Sequence, residues 1–277
     1  IRDFCLSRGL GDVYKRQLEI YTRVEVAWSL TFGAMALLFV VFAVYHLRVL
    51  PHPQSDKVGT VAVAVIWREF VETFVSFFRK PGIGIALLFL LTYRLAEAQL
   101  VKLASLFLLD EGTDGGLALT TAQVGFVYGT VGVIALTVGG IVGGWAVSRY
   151  GLRRCLWPMA LALTLPNLVY LYLSLVQPSC MIVVNVCVAV EQLGYGFGFT
   201  AYMLYMIAFS EGKHATAHYA LCTAFMALGM MLPGMVAGWI ADHMGYVLFF
   251  IWIMICTVPV FICLLYTSPS PRDRQKS

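Results

Sequence analysis

Seven apolar runs of bilayer-crossing length leave this 277-residue chain few folds to choose from. They fall at Val24 to Leu50, Gly82 to Leu109, Ala122 to Val147, Cys155 to Val176, Cys180 to Phe209, Ala215 to Ala241 and Val247 to Leu265. Lipid offers a backbone no hydrogen-bond partner, so each run is expected to satisfy itself as a helix. Hydrophobic residues make up 60% and charged residues 12%, with a mean hydropathy of +0.81, more apolar surface than one soluble core can hide. The expected class is therefore an all-α membrane protein with about seven transmembrane helices.

Charge gives the runs an orientation. Between them, nine Lys/Arg fall on one side: Arg48, Lys57, Arg68, Arg79, Lys80, Arg149, Arg153, Arg154 and Lys213. The other side has Arg23 together with Asp110, Glu111, Asp114 and Asp242. The positive-inside rule makes the first set cytoplasmic, and every connection obeys the resulting alternation. The formal net charge of +4 comes from the two ends, Ile1 to Gln17 and Tyr266 to Ser277; the remainder carries twelve charges of each sign. Such a chain has no nucleic-acid footprint.

The ends differ from the rest in composition. IRDFCLSRGLGDVYKRQ and LLYTSPSPRDRQKS resemble translated sequencing-library adapter, so residues 1–17 and 266–277 are set aside as artefacts. Residues 51–81 form the longest connection, where Trp67, Phe70, Val71, Phe74, Phe77 and Phe78 recur at helical spacing opposite Arg68, Glu69, Glu72 and Arg79. That pattern predicts an amphipathic helix in the cytoplasmic interface.

Inside the last six runs a motif repeats. Gly140-x3-Gly144-Trp145-x5-Gly151 recurs as Gly234-x3-Gly238-Trp239-x5-Gly245, 94 residues or three helices later. An odd number of crossings turns the second copy over, giving an inverted three-plus-three arrangement like that in one half of a major facilitator transporter. The first copy continues as GGWAVSRYGLRR, similar to the cytoplasmic loop signature of the major facilitators, with Ser148 where the family's acid usually stands.

TYRLAEAQLVKLASLFLLDEG (Thr92 to Gly112), ATAHYAL (Ala215 to Leu221) and GWIADHMGYVLFF (Gly238 to Phe250) resemble the muropeptide permease branch of that superfamily, whose relatives include the acetyl-coenzyme A transporters. His218 occupies a place where the bacterial permeases tend to have Gln. The resemblance covers Val24 to Leu265. It implies that residues 18–50 are the last helix of an N-terminal half, that 51–81 are the central linker and that 82–265 are the six-helix C-terminal half. It also implies proton-coupled uptake of peptidoglycan fragments across a bacterial inner membrane, by a protein that is not an enzyme and needs no cofactor.

Three charges within one apolar run mark the candidate site, because charge at that depth is costly and defaults to function. At 100° per residue, Glu97 lies about 60° to one side of Arg94 and Lys102 about 80° to the other. Arg94 and Lys102 are expected to bind a substrate anion, and Glu97 to carry a proton or balance Arg94. An ion pair that only fixes helix packing is the alternative. On Cys180 to Phe209, Glu191, Tyr195, Gly198, Tyr202 and Tyr205 share one stripe about 80° wide. Glu191 is the second proton-carrier candidate, and Tyr195, Tyr202 and Tyr205 are candidate substrate contacts, with simple packing the competing reading. Asn167 and Asn185 are expected to bond across helices.

His214 and His218 lie one helical turn apart, but the neighbouring sequence offers no third ligand, so no metal is assigned. The cysteines read as small apolar residues. A membrane-embedded acyltransferase would also tolerate buried Glu, His and Arg, but it would gather them near one face of the membrane, whereas Arg94, Glu97 and Glu191 fall mid-span.

Overall fold

The computed structural model describes Val26, residues 28–50 and residues 63–267. The readings of 1–17 and 268–277 as foreign, and of 51–62 as linker, lie outside the described residues. Helix α1, Trp28–Val49, belongs to one unit, and the described residues from Ala64 onward belong to another that carries everything discussed below.

That second unit is built from α2 (Val63–Phe78), α3 (Ile83–Thr92), α4 (Leu95–Leu109), α5 (Thr121–Phe126), α6 (Val133–Tyr150), α7 (Leu152–Thr164), α8 (Leu168–Val176), α9 (Met181–Ser210), α10 (Ala215–Ile255) and α11 (Val258–Thr267). A π-helical turn, Val127–Gly132, joins α5 to α6, and a 3-10 turn, Leu165–Asn167, joins α7 to α8 at Pro166. Among the described residues, six helical stretches are long and apolar enough to cross a membrane. The last, Ala215–Leu265, has 51 residues and is bent at Gly245 (φ 74°, ψ 164°), where the sequence predicts the sixth crossing to end and the seventh to begin.

Gly245 also ties the two copies of the repeat together. Gly151 has φ 81° and ψ 148°, so the final glycines of both copies adopt the same left-handed extended turn, which side chains with a Cβ rarely enter. The preceding tryptophans, Trp145 and Trp239, both lie outward on the bundle surface.

Glycine also sets how close the helices approach. A Cβ on Gly196 would come within 2.1 Å of the Leu136 carbonyl oxygen on α6, and one on Gly194 within 2.1 Å of the Ala162 oxygen on α7. Helix α9 is thus held backbone to backbone between α6 and α7, the small-residue contact that replaces the hydrophobic drive missing in lipid. The packing glycines of α6 are Gly139 and Gly143, which face α9, whereas Gly140 and Gly144 of the repeated motif have open space beside them.

The loop ends sort as charge alternation predicts. At one end, Lys80 donates to the carbonyls of Phe209 (2.6 Å) and Glu211 (2.9 Å), and Ser76 and Thr73 of α2 bond to His218 (2.9 Å) and His214 (3.4 Å). At the other, Tyr246 donates to Asp110, and Gln177 donates to the Gly116 carbonyl. A reciprocal capping box between Thr120 and Gln123 starts α5 beside this second end.

Helix α2 forms where the apolar spacing places it, with one difference. Phe77 turns inward, fully buried against Phe209, Phe225 and His218, while Trp67, Phe70 and Phe74 stay exposed and stacked on one another. Asn185 bonds its own helix at the Met181 carbonyl, and Asn167 Oδ1 has no partner among the described residues, so neither makes the cross-helix bond expected of it.

Gly194→Ala or Gly196→Ala is expected to lower the stability of the purified protein by about 1–3 kcal/mol, the usual cost of overpacking. Gly140→Ala, with open space around it, should leave the thermal transition unchanged or raise it slightly. Thermal unfolding in one detergent checks all three.

Candidate functional site

The second crossing is not one helix. Between α3 and α4 the chain leaves helical geometry at Arg94 (φ −110°, ψ 18°). Two anchors hold the break. Thr92 turns its hydroxyl back to the Leu88 carbonyl (2.7 Å), a bond that bends helices, and Tyr93 stacks on Tyr202 (5.0 Å, 5° between planes) while donating to the Gly198 carbonyl (2.9 Å). Arg94 becomes the N-cap of α4 and Glu97 falls in its first turn, where the helix dipole favours a carboxylate.

The break also sits at the seam between two apolar clusters. Tyr93 belongs to one and Ala96 to the other; on α9, Val188 and Ala201 are divided in the same way, with Glu191 and Tyr195 between them. The charged groups therefore gather where neither cluster fills the interior.

A cavity of about 610 Å³ opens at this seam, lined by side chains from the α3–α4 break, α4, α5, the π-turn, α8, α9 and α10. Its polar lining includes Arg94, Glu97, Tyr128, Tyr170, Glu191, Gln192 and Tyr195. Arg94 is 5% exposed, Glu97 2% and Glu191 3%, so all three are withdrawn from the surface. Arg94 donates to Tyr195 Oη (2.6 Å) and Met230 Sδ (2.7 Å), and its guanidinium lies over the rings of Tyr195 (5.2 Å) and Phe199 (4.9 Å). Its Nε has no partner, and neither carboxylate oxygen of Glu97 has one among the described residues. Arg94 and Glu97 share the cavity without bonding each other. Glu191 accepts from Tyr170 (3.3 Å) and Gln192 (2.9 Å).

The stripe read on α9 divides at Gly198. Glu191 and Tyr195 line the cavity; Tyr202 lies beyond it, fully buried, with its hydroxyl on the Leu90 carbonyl (2.7 Å), and Tyr205 packs on Phe89 (4.4 Å). Lys102 is exposed and its stem runs beside Gly234 of α10, away from the cavity lining. Tyr128, Tyr170, Gln192 and Met230 are cavity residues that the sequence reading did not single out. Tyr128 sits on a π-turn, which residue spacing does not announce. Ser148, in the loop signature, turns back onto the Trp145 carbonyl of its own helix (2.8 Å).

Chemically, the cavity offers a fixed guanidinium with an unused donor, two buried carboxyl groups and three phenols. Such a set can hold an anion, exchange protons and hydrogen-bond sugar hydroxyls.

Comparison with known proteins agrees with this architecture. The sequence profile of the Major Facilitator Superfamily matches residues 19–219 and 119–277. Among curated relatives, a Rickettsia typhi protein named as the transporter AmpG 2 is 24% identical over 247 residues, covering 89% of this chain and 58% of its own. The anhydromuropeptide permease of Escherichia coli K12 is 27% identical over 190 residues, covering 69% of this chain and 38% of its own. A Haemophilus influenzae protein of uncharacterized function is 22% identical over 271 residues, 94% of this chain and 61% of its own. The chain thus spans little more than half the length of the AmpG 2 relative. With its apolar spans, its repeated glycine turn and this match over most of its length, the chain is an integral membrane protein and belongs to the major facilitator superfamily.

Proposed function

We propose that this chain is the C-terminal part of a secondary active transporter, not an enzyme, that takes up muropeptides or a related polar, anionic solute with protons across a bacterial inner membrane. The observation that carries this reading is the convergence of Arg94, Glu97 and Glu191 on one mid-span cavity. Relatives named as anhydromuropeptide permease and as AmpG transporters support the choice of solute.

In this reading Arg94 binds the substrate carboxylate, with Tyr195 beside it for the sugar. The guanidinium already lies across two rings and keeps Nε free, so a carboxylate can approach its edge without first breaking an ion pair. Glu97 and Glu191 are the proton carriers, buried enough that gaining or losing a proton changes the balance between conformations. Lys102, Tyr202 and Tyr205 take lesser parts: Lys102 draws anions from outside the lining, while Tyr202 and Tyr205 brace the helix break from behind. Residues 18–50 and 51–81 are read as the end of a first half and the linker, with α2 lying in the cytoplasmic interface. Alternating access rocks one half against the other, so residues 18–265 alone in proteoliposomes should not accumulate labelled muropeptide.

The test uses the transporter reassembled with an N-terminal half. Arg94→Lys keeps the charge but loses the fork; it should weaken apparent affinity about tenfold, the equivalent of one charge-assisted hydrogen bond, with insertion intact. Uptake kinetics check this, and unchanged affinity would remove Arg94 from the site.

Glu97→Gln and Glu191→Gln should each abolish accumulation against a gradient while sparing counterflow between equal compartments. Because the Glu97 carboxylate has no bonded partner, Glu97→Gln should also leave the thermal transition unchanged or higher. A structural ion pair would show the reverse, with a lowered transition rescued by replacing Arg94 as well.

A further inference from the structure

The hydrogen bonds at Glu191 are shared unequally between its two oxygens. We propose that Tyr170, Gln192 and Tyr128 are positioning residues for this carboxyl group, holding Oε2 as an acceptor and leaving Oε1 as the atom that loads the proton. The inference rests on the reading of Glu191 as a proton carrier and adds which atom carries and what aims it.

Tyr170 Oη donates to Oε2 at 3.3 Å, and Gln192 Nε2 donates to the same oxygen at 2.9 Å. A phenol has one hydrogen to give. Tyr170 spends it on Oε2, so in the 2.5 Å contact between the Tyr128 and Tyr170 hydroxyls the donor is Tyr128. The result is a chain, Tyr128 to Tyr170 to Oε2, in which each bond polarises the next toward the carboxylate.

Its members come from three elements: the π-turn, α8 and α9. Tyr170 is 1% exposed and packs on Phe250 (5.7 Å), which locks the middle of the chain. A π-turn is an uncommon geometry that recurs at functional sites, and here it carries the first donor.

The ionisable groups facing Glu191 across the cavity are Arg94 at the α3–α4 break, Glu97 in the first turn of α4, Tyr128, Tyr170, and Tyr195 of its own helix. Met230, from α10, does not titrate, and α6 and α7 contribute no side chain to the lining. Cys187 lies one turn away on α9. Loading adds one proton to Oε1 and turns Oε2 into a carbonyl that still accepts both bonds; release restores the carboxylate. No other bond forms or breaks.

The test is infrared difference spectroscopy on the purified full chain in nanodiscs, between acidic and alkaline buffer. The C=O stretch of protonated Glu191 is the band lost in Glu191→Gln. A carbonyl that holds two donors absorbs at lower frequency than one that holds fewer. Tyr170→Phe and Gln192→Met should each shift the band upward, and Tyr128→Phe should shift it upward by less. In the Tyr170→Phe background Tyr128→Phe should add nothing, because it acts through Tyr170.

A band unmoved by both Tyr170→Phe and Gln192→Met puts the proton on Oε2 and overturns the proposal, as does the absence of any Glu191 band at every pH the fold survives. No substrate is needed, so absence of anhydromuropeptide counterflow in the transporter reassembled with an N-terminal half would strike the transport reading alone. Where counterflow is present, Tyr170→Phe should lower proton-driven accumulation with counterflow unchanged; equal loss of both would assign Tyr170 to packing or substrate contact and reject its positioning role.

Discussion

Backbone contact along α9 is the constraint on which the site depends. Side chains normally keep helices 8–10 Å apart, but Gly194 and Gly196 leave carbonyls of α7 and α6 directly against the α9 backbone. Contact that close fixes the rotation of α9 about its own axis, since any other face would present a side chain to the same carbonyls. Glu191 and Tyr195 then point to the cavity by geometry, without relying on their own bonds to find it. The hydrogen bonds at Glu191 refine a direction already set by the absence of Cβ atoms.

The break at Arg94 does the complementary work on the facing wall. A continuous helix would have passed its charges up the bilayer on one stripe. By leaving helical geometry at Arg94, the chain makes a new helix start in the interior and places Glu97 at its first turn. Arg94 is held by aromatic rings and a thioether in place of an opposing carboxylate, a polarizable cradle for a cation that leaves its charge available.

Much of this was legible in the sequence because hydrocarbon is an exacting solvent. Run lengths gave the crossings, charge alternation gave which connections share an end of the bundle, and the glycine repeat marked two positions that the structure gives similar backbone angles. Arg94, Glu97, Glu191 and Tyr195 stood out because charge and phenol in an apolar run are conspicuous. Other features were hidden for particular reasons. A 100° rotation per residue assumes an unbroken helix, so it ran the charged stripe of α4 on to Lys102, which the structure leaves exposed outside the lining. Tyr202 sits on the α9 stripe but is claimed by Tyr93, a contact 109 residues away that no local period encodes. Tyr128 and Tyr170 become neighbours only through the fold.

The Lys80 contact joins α2 to the end of the helix that bears Glu191. Its ammonium holds the Phe209 and Glu211 carbonyls at the last turn and C-cap of the helix that bears Glu191. A shift of α9 along its axis would pull this end away from α2, and Phe77 is seated in the same place. The end of the helix that carries Glu191 is thereby tied to the helix that precedes the bundle, so any displacement of α9 along its axis would have to strain or break the Lys80 and Phe77 contacts.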